Sequence, residues 1–116
     1  MLRLIGGVEM IRVYIASPYT KGDQLENVKR QIKVAHKLID LGFAPYLPLL
    51  CHFQHTFLPR AYEDWLKLDF EWIQACDVLL RLEGDSEGAD KEVEYAKELG
   101  LRIVYSIDKL KIHLVK

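Results

Sequence analysis

The chain has 116 residues, half of them hydrophobic and 28% charged, with a net charge of −1 at pH 7. That is enough chain to bury one globular core, and it excludes a disordered polymer, a collagen-like repeat and a disulfide-stapled miniprotein, since Cys51 and Cys76 are the only cysteines. The charge is unevenly placed: residues 61–100 hold 12 of the 17 acids but 4 of the 16 Lys and Arg, so that stretch carries −8 and the remainder +7.

Residues 1–116 read as one domain, with 1–10 an N-terminal extension that lacks the long apolar run of a secretory signal; Met10 is an alternative start. Residues 11–16 are rich in β-branched side chains and are stopped by Ser17-Pro18, which predicts a strand. Asp23-Gln-Leu-Glu26 has the form of a capping box. Leu25, Val28, Ile32, Ala35 and Ile39 follow at spacings of three and four, predicting a helix that ends at Gly42. Residues 43–47 predict a short strand that Pro45 confines to an edge. Residues 48–59 predict a loop with room for a helical turn, and 61–76 a second helix. Residues 77–82 are almost continuously apolar, as in a central strand. After the turn at 84–86, Ser86 or Asp85 caps a third helix that runs to Gly100, and 101–105 form a fourth strand. Leu110, Ile112 and Leu114 alternate with Lys111 and His113, which predicts an exposed fifth strand or, alternatively, a short terminal helix.

Strands alternating with helices predict an α/β fold with a parallel sheet of four to five strands covered on both faces. Ligands of such sheets bind outside the carboxyl ends of the strands, where the strand order reverses. The candidate ligand contacts are therefore Ala16, Ser17, Pro18 and Tyr19 after the first strand, and Ser86 and Gly88 after the third. On helical wheels, most acids of 61–100 fall on solvated faces, but Asp69 lies amid Tyr62, Trp65, Leu68, Trp72, Ile73 and Cys76. Glu92 likewise lies inside the arc of Ala89, Val93, Ala96 and Leu99. An unpaired buried carboxylate is costly, so each acid has either a structural partner (a salt bridge or a backbone cap) or a chemical task. Two carboxylates in one pocket also push their pKa values apart, as a nucleophile and an acid require. Tyr14, near the carboxyl end of the first strand, offers a hydroxyl that needs a partner if buried.

Other chemistries lack their residues. There is no G-x-x-x-x-G-K-[ST] and no G-x-G-x-x-G. Cys51, His52 and His55 are close in sequence but lack a fourth ligand at metal-site spacing, so no metal and no cofactor are expected. His52 is taken as a loop histidine that contacts substrate, whereas His36 and His113 are expected at the surface. Ser17 has no assigned base, and Cys76 reads as core. No basic cluster is interleaved with aromatics, so no nucleic-acid partner is expected. No apolar run reaches the ~20 residues of a membrane span, so no membrane partner is expected. The low cysteine count fits a reduced, cytoplasmic setting.

Tyr14-Ile-Ala-Ser-Pro-Tyr19, Trp65-x₃-Asp69-x₇-Asp77-Val-Leu-Leu and Ser86-x-Gly88-x₃-Glu92-x₃-Ala96-x₃-Gly100 together resemble the nucleoside 2-deoxyribosyltransferase superfamily, which includes the 2'-deoxynucleoside 5'-monophosphate N-hydrolases. The resemblance spans residues 11–105 and is nearest to small phage and bacterial members. It implies a flavodoxin-like, Rossmann-like three-layer sandwich that cleaves the N-glycosidic bond of a nucleoside or nucleoside 5'-monophosphate. It implies Glu92 as nucleophile, Asp69 in proton transfer to the leaving base or in binding it, and Tyr14 as the holder of Glu92. Ser86 matches a position that is Ser in the phosphate-recognising hydrolases and Asp in the transferases. Ser17 would lie by the sugar or phosphate. Hydrolase and transferase both remain open, as does a non-catalytic nucleotide-binding or regulatory module. The resemblance also implies a homo-oligomer. Glu94 stands where the family often has Gly, and Asp90 and Lys91 replace small or aromatic residues.

Overall fold

A computed structural model of the protein describes residues 4–5 and 8–114, with side chains for 10–112. In chain order the elements are β1 (Leu4–Ile5), β2 (Val8–Glu9), β3 (Arg12–Ala16), α1 (Gln24–Asp40), β4 (Ala44–Tyr46), a 3₁₀ turn (Pro48–Leu50), α2 (Cys51–Phe57), α3 (Tyr62–Gln74), β5 (Val78–Arg81), α4 (Glu87–Glu98), β6 (Arg102–Val104) and α5 (Ile107–Leu114). Among the described residues, β1 and β2 pair only with each other, and β4-β3-β5-β6 form one parallel sheet. The chain leaves β3, adds β4 on one side, then returns to add β5 on the other. The order therefore reverses between β3 and β5, and their carboxyl ends open the crevice that such sheets use.

Successive strand residues point to opposite faces, and this parity decides what each layer receives. Val13, Ile15, Val78 and Leu80 pack with Ala35 and Leu38 of α1 and Leu110 of α5. Tyr14, Ala16 and Leu79 pack on the other face with Ile73 of α3 and Ala89, Val93 and Ala96 of α4. Tyr14 thus points toward the helices that carry both singled-out acids, and Arg81, the next residue of its parity on β5, reaches Asp90 of α4.

Several local features follow from side-chain chemistry. Asp23 caps α1 by accepting from the Glu26 N–H at 3.0 Å, and Ser86 caps α4 by accepting from the Ala89 N–H at 3.1 Å. The edge position of β4 suits Pro45, which lacks an N–H for a second neighbour. Residues 48–59 are more regular than a loop, with the 3₁₀ turn leading straight into α2. The C-terminal segment is a helix, not a fifth strand. The Ser106 hydroxyl accepts from the Lys109 N–H at 3.1 Å and starts the turn, and Leu110, buried with Ile107 packed beside it on the core, needs only one helical face.

Two helices are rotated relative to their hydrophobic patterns. In α1 the buried face is Val28, Gln31, Ala35 and Leu38, while Leu25 and Ile39 are 43% and 56% exposed. In α3 only Ile73 is buried, and Tyr62, Leu68 and Trp72 are about half exposed. The inner face of α3 runs through Leu66, Asp69, Phe70 and Ile73, with Phe70 stacked on Tyr95 of α4 at 4.3 Å. Asp69 is therefore half-buried at the edge of the packed face.

The loops after β3 and β5 are welded together. Gly84 has φ +125°, and a Cβ there would meet the Pro18 ring at 2.7 Å. Lys21 pairs with Asp85 across the same seam, and the Arg30 guanidinium donates to the Glu83 carbonyl at 2.8 Å. Gly84→Ala combines backbone strain with overpacking, so it should lower stability by about 2 kcal/mol or more, whereas Gly22→Ala (φ +81°, no atom within 4 Å of the added carbon) should cost about 1 kcal/mol. Urea unfolding of both variants checks the contrast, and equal losses would mean that the Pro18 contact is not tight.

Candidate active site

A cavity of about 680 Å³ opens at the carboxyl ends of β3 and β5. Its floor and walls include Ser17, Tyr19 and Lys21 from the loop after β3, Ser86, Gly88 and Glu92 from the start of α4, and Trp65 and Asp69 from α3. A second cavity of about 480 Å³, flanked by Tyr46, Leu68 and Trp72, lies on the other side of Asp69, Cys51 and Trp65, which border both.

Glu92 is 7% exposed and sits on the inner face of α4, one turn after the buried Ala89. The Tyr14 hydroxyl donates to its Oε2 at 2.7 Å. Burial and the neighbouring Asp69 push Glu92 well above the usual carboxylate range, and the Tyr14 hydrogen bond opposes this. Burial raises the pKa of the neighbouring Asp69 to about 6, and its interaction with Glu92 opposes the rise. The two carboxyls titrate as a pair, in which burial and the Asp69 charge favour the proton on Glu92. Tyr14, fully buried beside two acids, is pushed well above its ordinary value and stays a donor. It stacks on Tyr46, and Tyr46 on Trp72, at 5.7 and 5.2 Å, an aromatic run that leads from β3 to the second cavity.

The other expected contacts divide. Ser17, Tyr19, Ser86 and Gly88 line the cavity. Ala16 is fully buried in the core, and Pro18 is buried against Gly84. His52 hydrogen-bonds the Tyr19 hydroxyl through Nδ1 at 2.5 Å and meets the cavity through that residue. His55, whose pattern in the sequence suggested no role, lines the cavity directly. Its Nδ1 accepts from the Trp65 indole N–H at 2.9 Å and from the Arg60 backbone N–H at 3.2 Å. Both partners can only donate, so Nε2 carries the proton. The two imidazoles of the Cys-His-x-x-His group therefore serve different partners. The Cys51 thiol is pushed up to about 11, by burial and then by the nearby Asp69 and Glu92 charges.

Two further residues were not singled out in the sequence. Arg81 is buried, donating to the Leu82 and Gly84 carbonyls and to Asp90, so it braces the loop that presents Ser86. A strand arginine looks solvated in a sequence, and only the end of β5 beside α4 makes it internal. Gln31, fully buried on α1, bonds Ser17; it escaped notice because hydrophobic periodicity skips polar positions.

The family model described as Domain of unknown function (DUF4406) matches residues 11–105. The chain belongs to that family. The match begins just before β3 and ends just after β6, so it contains every cavity-lining residue named above. No curated protein sequence matches the chain. Among solved structures, it is similar to a 2-deoxyribosyltransferase from Bacillus psychrosaccharolyticus, at 24% identity and a TM-score of 0.58, covering 79% of this chain and 69% of that one. It is also similar to a 2-deoxyribosyltransferase from Leishmania mexicana, at 19% identity and a TM-score of 0.62, over 82% and 63% of the two chains. A CMP N-glycosidase from Clostridium botulinum aligns at 23% identity and a TM-score of 0.53, over 79% and 65%. This DUF4406 chain therefore has the Rossmann-like fold of those enzymes and spans about two thirds of their lengths.

The raised pKa of Asp69 has a measurable consequence. The carboxyl of Asp69 titrates near ~3.9 when unfolded and at about 6 in the fold. A carboxyl raised in the fold binds its proton more tightly there, so it favours the native state while protonated, and that contribution is lost as pH rises from about 4 through 6. The stability of the wild type relative to Asp69→Asn should fall across this window, as measured by urea unfolding at fixed ionic strength. A difference that stays constant with pH would contradict the arrangement.

Proposed function

We propose that the protein cleaves the N-glycosidic bond of a nucleoside or nucleoside 5'-monophosphate, or transfers the deoxyribosyl group, with Glu92 as the nucleophile. One observation carries this: a buried carboxyl on the cavity wall is held by a tyrosine hydroxyl, with a second, half-buried carboxyl lining the same cavity. The activities of the similar structures, deoxyribosyl transfer and CMP N-glycosidic cleavage, support the same class of chemistry.

The chemistry follows from the pair. The proton that burial favours on Glu92 first passes to Asp69, and the ionised Glu92 then attacks the anomeric carbon of the sugar. The bond to the base breaks, the base takes the Asp69 proton, and a glycosyl ester forms on Glu92. Water, or a second base, then attacks the same carbon and gives its proton to the Asp69 carboxylate, which restores both groups. Tyr14 keeps Glu92 from rotating out of line and stabilises its charge. The position of Asp69 between the two cavities suits this division. The polar crevice with Ser17 and Ser86 takes the sugar and any phosphate, while the side flanked by Tyr46, Trp65 and Trp72 takes the flat base by stacking.

The test is base release, followed by chromatography, from each 2'-deoxynucleoside and its 5'-monophosphate. Glu92→Gln should abolish release while folding is retained, and Asp69→Asn should slow it by roughly 10²–10⁴-fold. Release that survives Glu92→Gln would remove Glu92 as nucleophile. If no substrate reacts but nucleotides raise the melting temperature, the domain is a binding module.

A further inference from the structure

Gln31 has no exposed surface, lies between Val28 and Ala35 on the inner face of α1, and has hydrogen-bond partners on both sides of its amide. Its Nε2 donates to the Ile15 carbonyl at 3.1 Å and to Ser17 Oγ at 2.8 Å, and its Oε1 accepts from the Leu49 N–H at 3.0 Å. A backbone carbonyl only accepts and a backbone N–H only donates, so the amide has a single orientation. The consequence falls on Ser17. One lone pair of its oxygen accepts from Gln31, and its proton has no acceptor among the described residues. Ser17 is 6% exposed and borders the crevice, so that proton is available to whatever occupies it. Across the crevice Ser86 is in the same condition, one lone pair of its oxygen taken by the Ala89 N–H and its proton left over.

A serine hydroxyl ordinarily donates or accepts as its ligand requires. We propose that Gln31 is a positioning residue that orients the Ser17 hydroxyl and leaves its proton free, so that Ser17 donates to an acceptor oxygen on the sugar side of the ligand. This rests on the assignment of the polar crevice to the sugar half of a nucleoside or nucleotide. That oxygen belongs either to a phosphate or to a sugar hydroxyl, and both meet the same donor. Glutamate at position 31 would reverse the polarity. Its ionised carboxylate would accept from Leu49 and from the Ser17 hydroxyl, turning the lone pairs of Ser17 toward the ligand, and would lose the bond to the Ile15 carbonyl.

Calorimetric titration of the full chain with ribose 5-phosphate, and with ribose as the phosphate-free probe, tests this in the wild type, Q31E, S17A and the double variant. Q31E and S17A should each weaken binding about tenfold. The double variant should be no weaker than S17A, because Gln31 acts through Ser17. Ser17→Thr, which keeps the hydroxyl, should restore affinity. A penalty confined to ribose 5-phosphate assigns the acceptor to phosphate, and an equal penalty on ribose assigns it to a sugar hydroxyl. Additive penalties, wild-type affinity in Q31E, or no binding of either probe by the wild type would each overturn the proposal. If Q31E does not fold, hydrogen exchange of the Gln31 side-chain amide in the wild type decides. Slow exchange with and without ribose 5-phosphate supports the proposal, and exchange at the solvent rate overturns it. Base release, measured separately, reports on catalysis. Its absence alongside an intact Ser17–Gln31 coupling would exclude the glycosidase and leave the donor in place.

Discussion

A carboxylate cannot be placed in a protein interior without something to hold it, and the buried Glu92 sets the terms for the elements around it. The Tyr14 hydroxyl meets it at 2.7 Å. For that bond to form, Tyr14 must point to the α3/α4 face of the sheet, which the alternation of β3 decides once Val13 and Ile15 enter the opposite layer. Moving β3 by one residue would turn Tyr14 toward α1 and leave Glu92 with only Asp69. The strand order then puts β5 beside β3, so that the helix following β5 carries Glu92 over the end of β3. The geometry of the carboxyl site and the sheet register are therefore the same constraint seen at two scales.

Around that centre the crevice is rigid on one side and loosely held on the other. The Pro18–Gly84 contact, the Lys21–Asp85 pair, and Arg81 with its loop carbonyls bind the two strand-end loops into one wall. Gln31 ties that wall to the 3₁₀ turn through Leu49. By contrast α2 has no buried residue, and its last residue, Phe57, and the Leu58 that follows are 85% and 78% exposed. Elements with so little burial open at low free-energy cost. Ligand entry past α2 would therefore leave the carboxylate pair undisturbed.

Much of this was legible in the sequence because it rests on local chemistry. The β-branched run before Ser17-Pro18, the caps at Asp23 and Ser86, the edge placement enforced by Pro45 and the parallel α/β plan all follow from near neighbours. Glu92 and Asp69 stood out because each breaks a helical pattern. What stayed hidden depends on tertiary context. The C-terminal segment satisfies both a strand and a helix pattern, and the packing of Leu110 and Ile107 against the core decides for the helix. The inner faces of α1 and α3 are rotated because a sheet can accept a satisfied Gln31 or a half-buried Asp69 while leaving Leu25 or Trp72 outside. Gln31, Arg81 and His55 are polar residues whose importance lies in which atoms they bond, and spacing carries no record of that.

In the proposed mechanism Glu92 becomes covalently attached to the sugar. A 2'-deoxy-2'-fluoronucleoside slows the departure of the sugar from such an ester by destabilising its oxocarbenium-like transition state, so the intermediate accumulates. Incubation followed by mass spectrometry of the protease-digested protein should find one fluorosugar adduct, on the peptide that contains Glu92, and none in Glu92→Gln. Release of base from natural substrates with no adduct at any residue, or an adduct that persists in Glu92→Gln, would contradict the account.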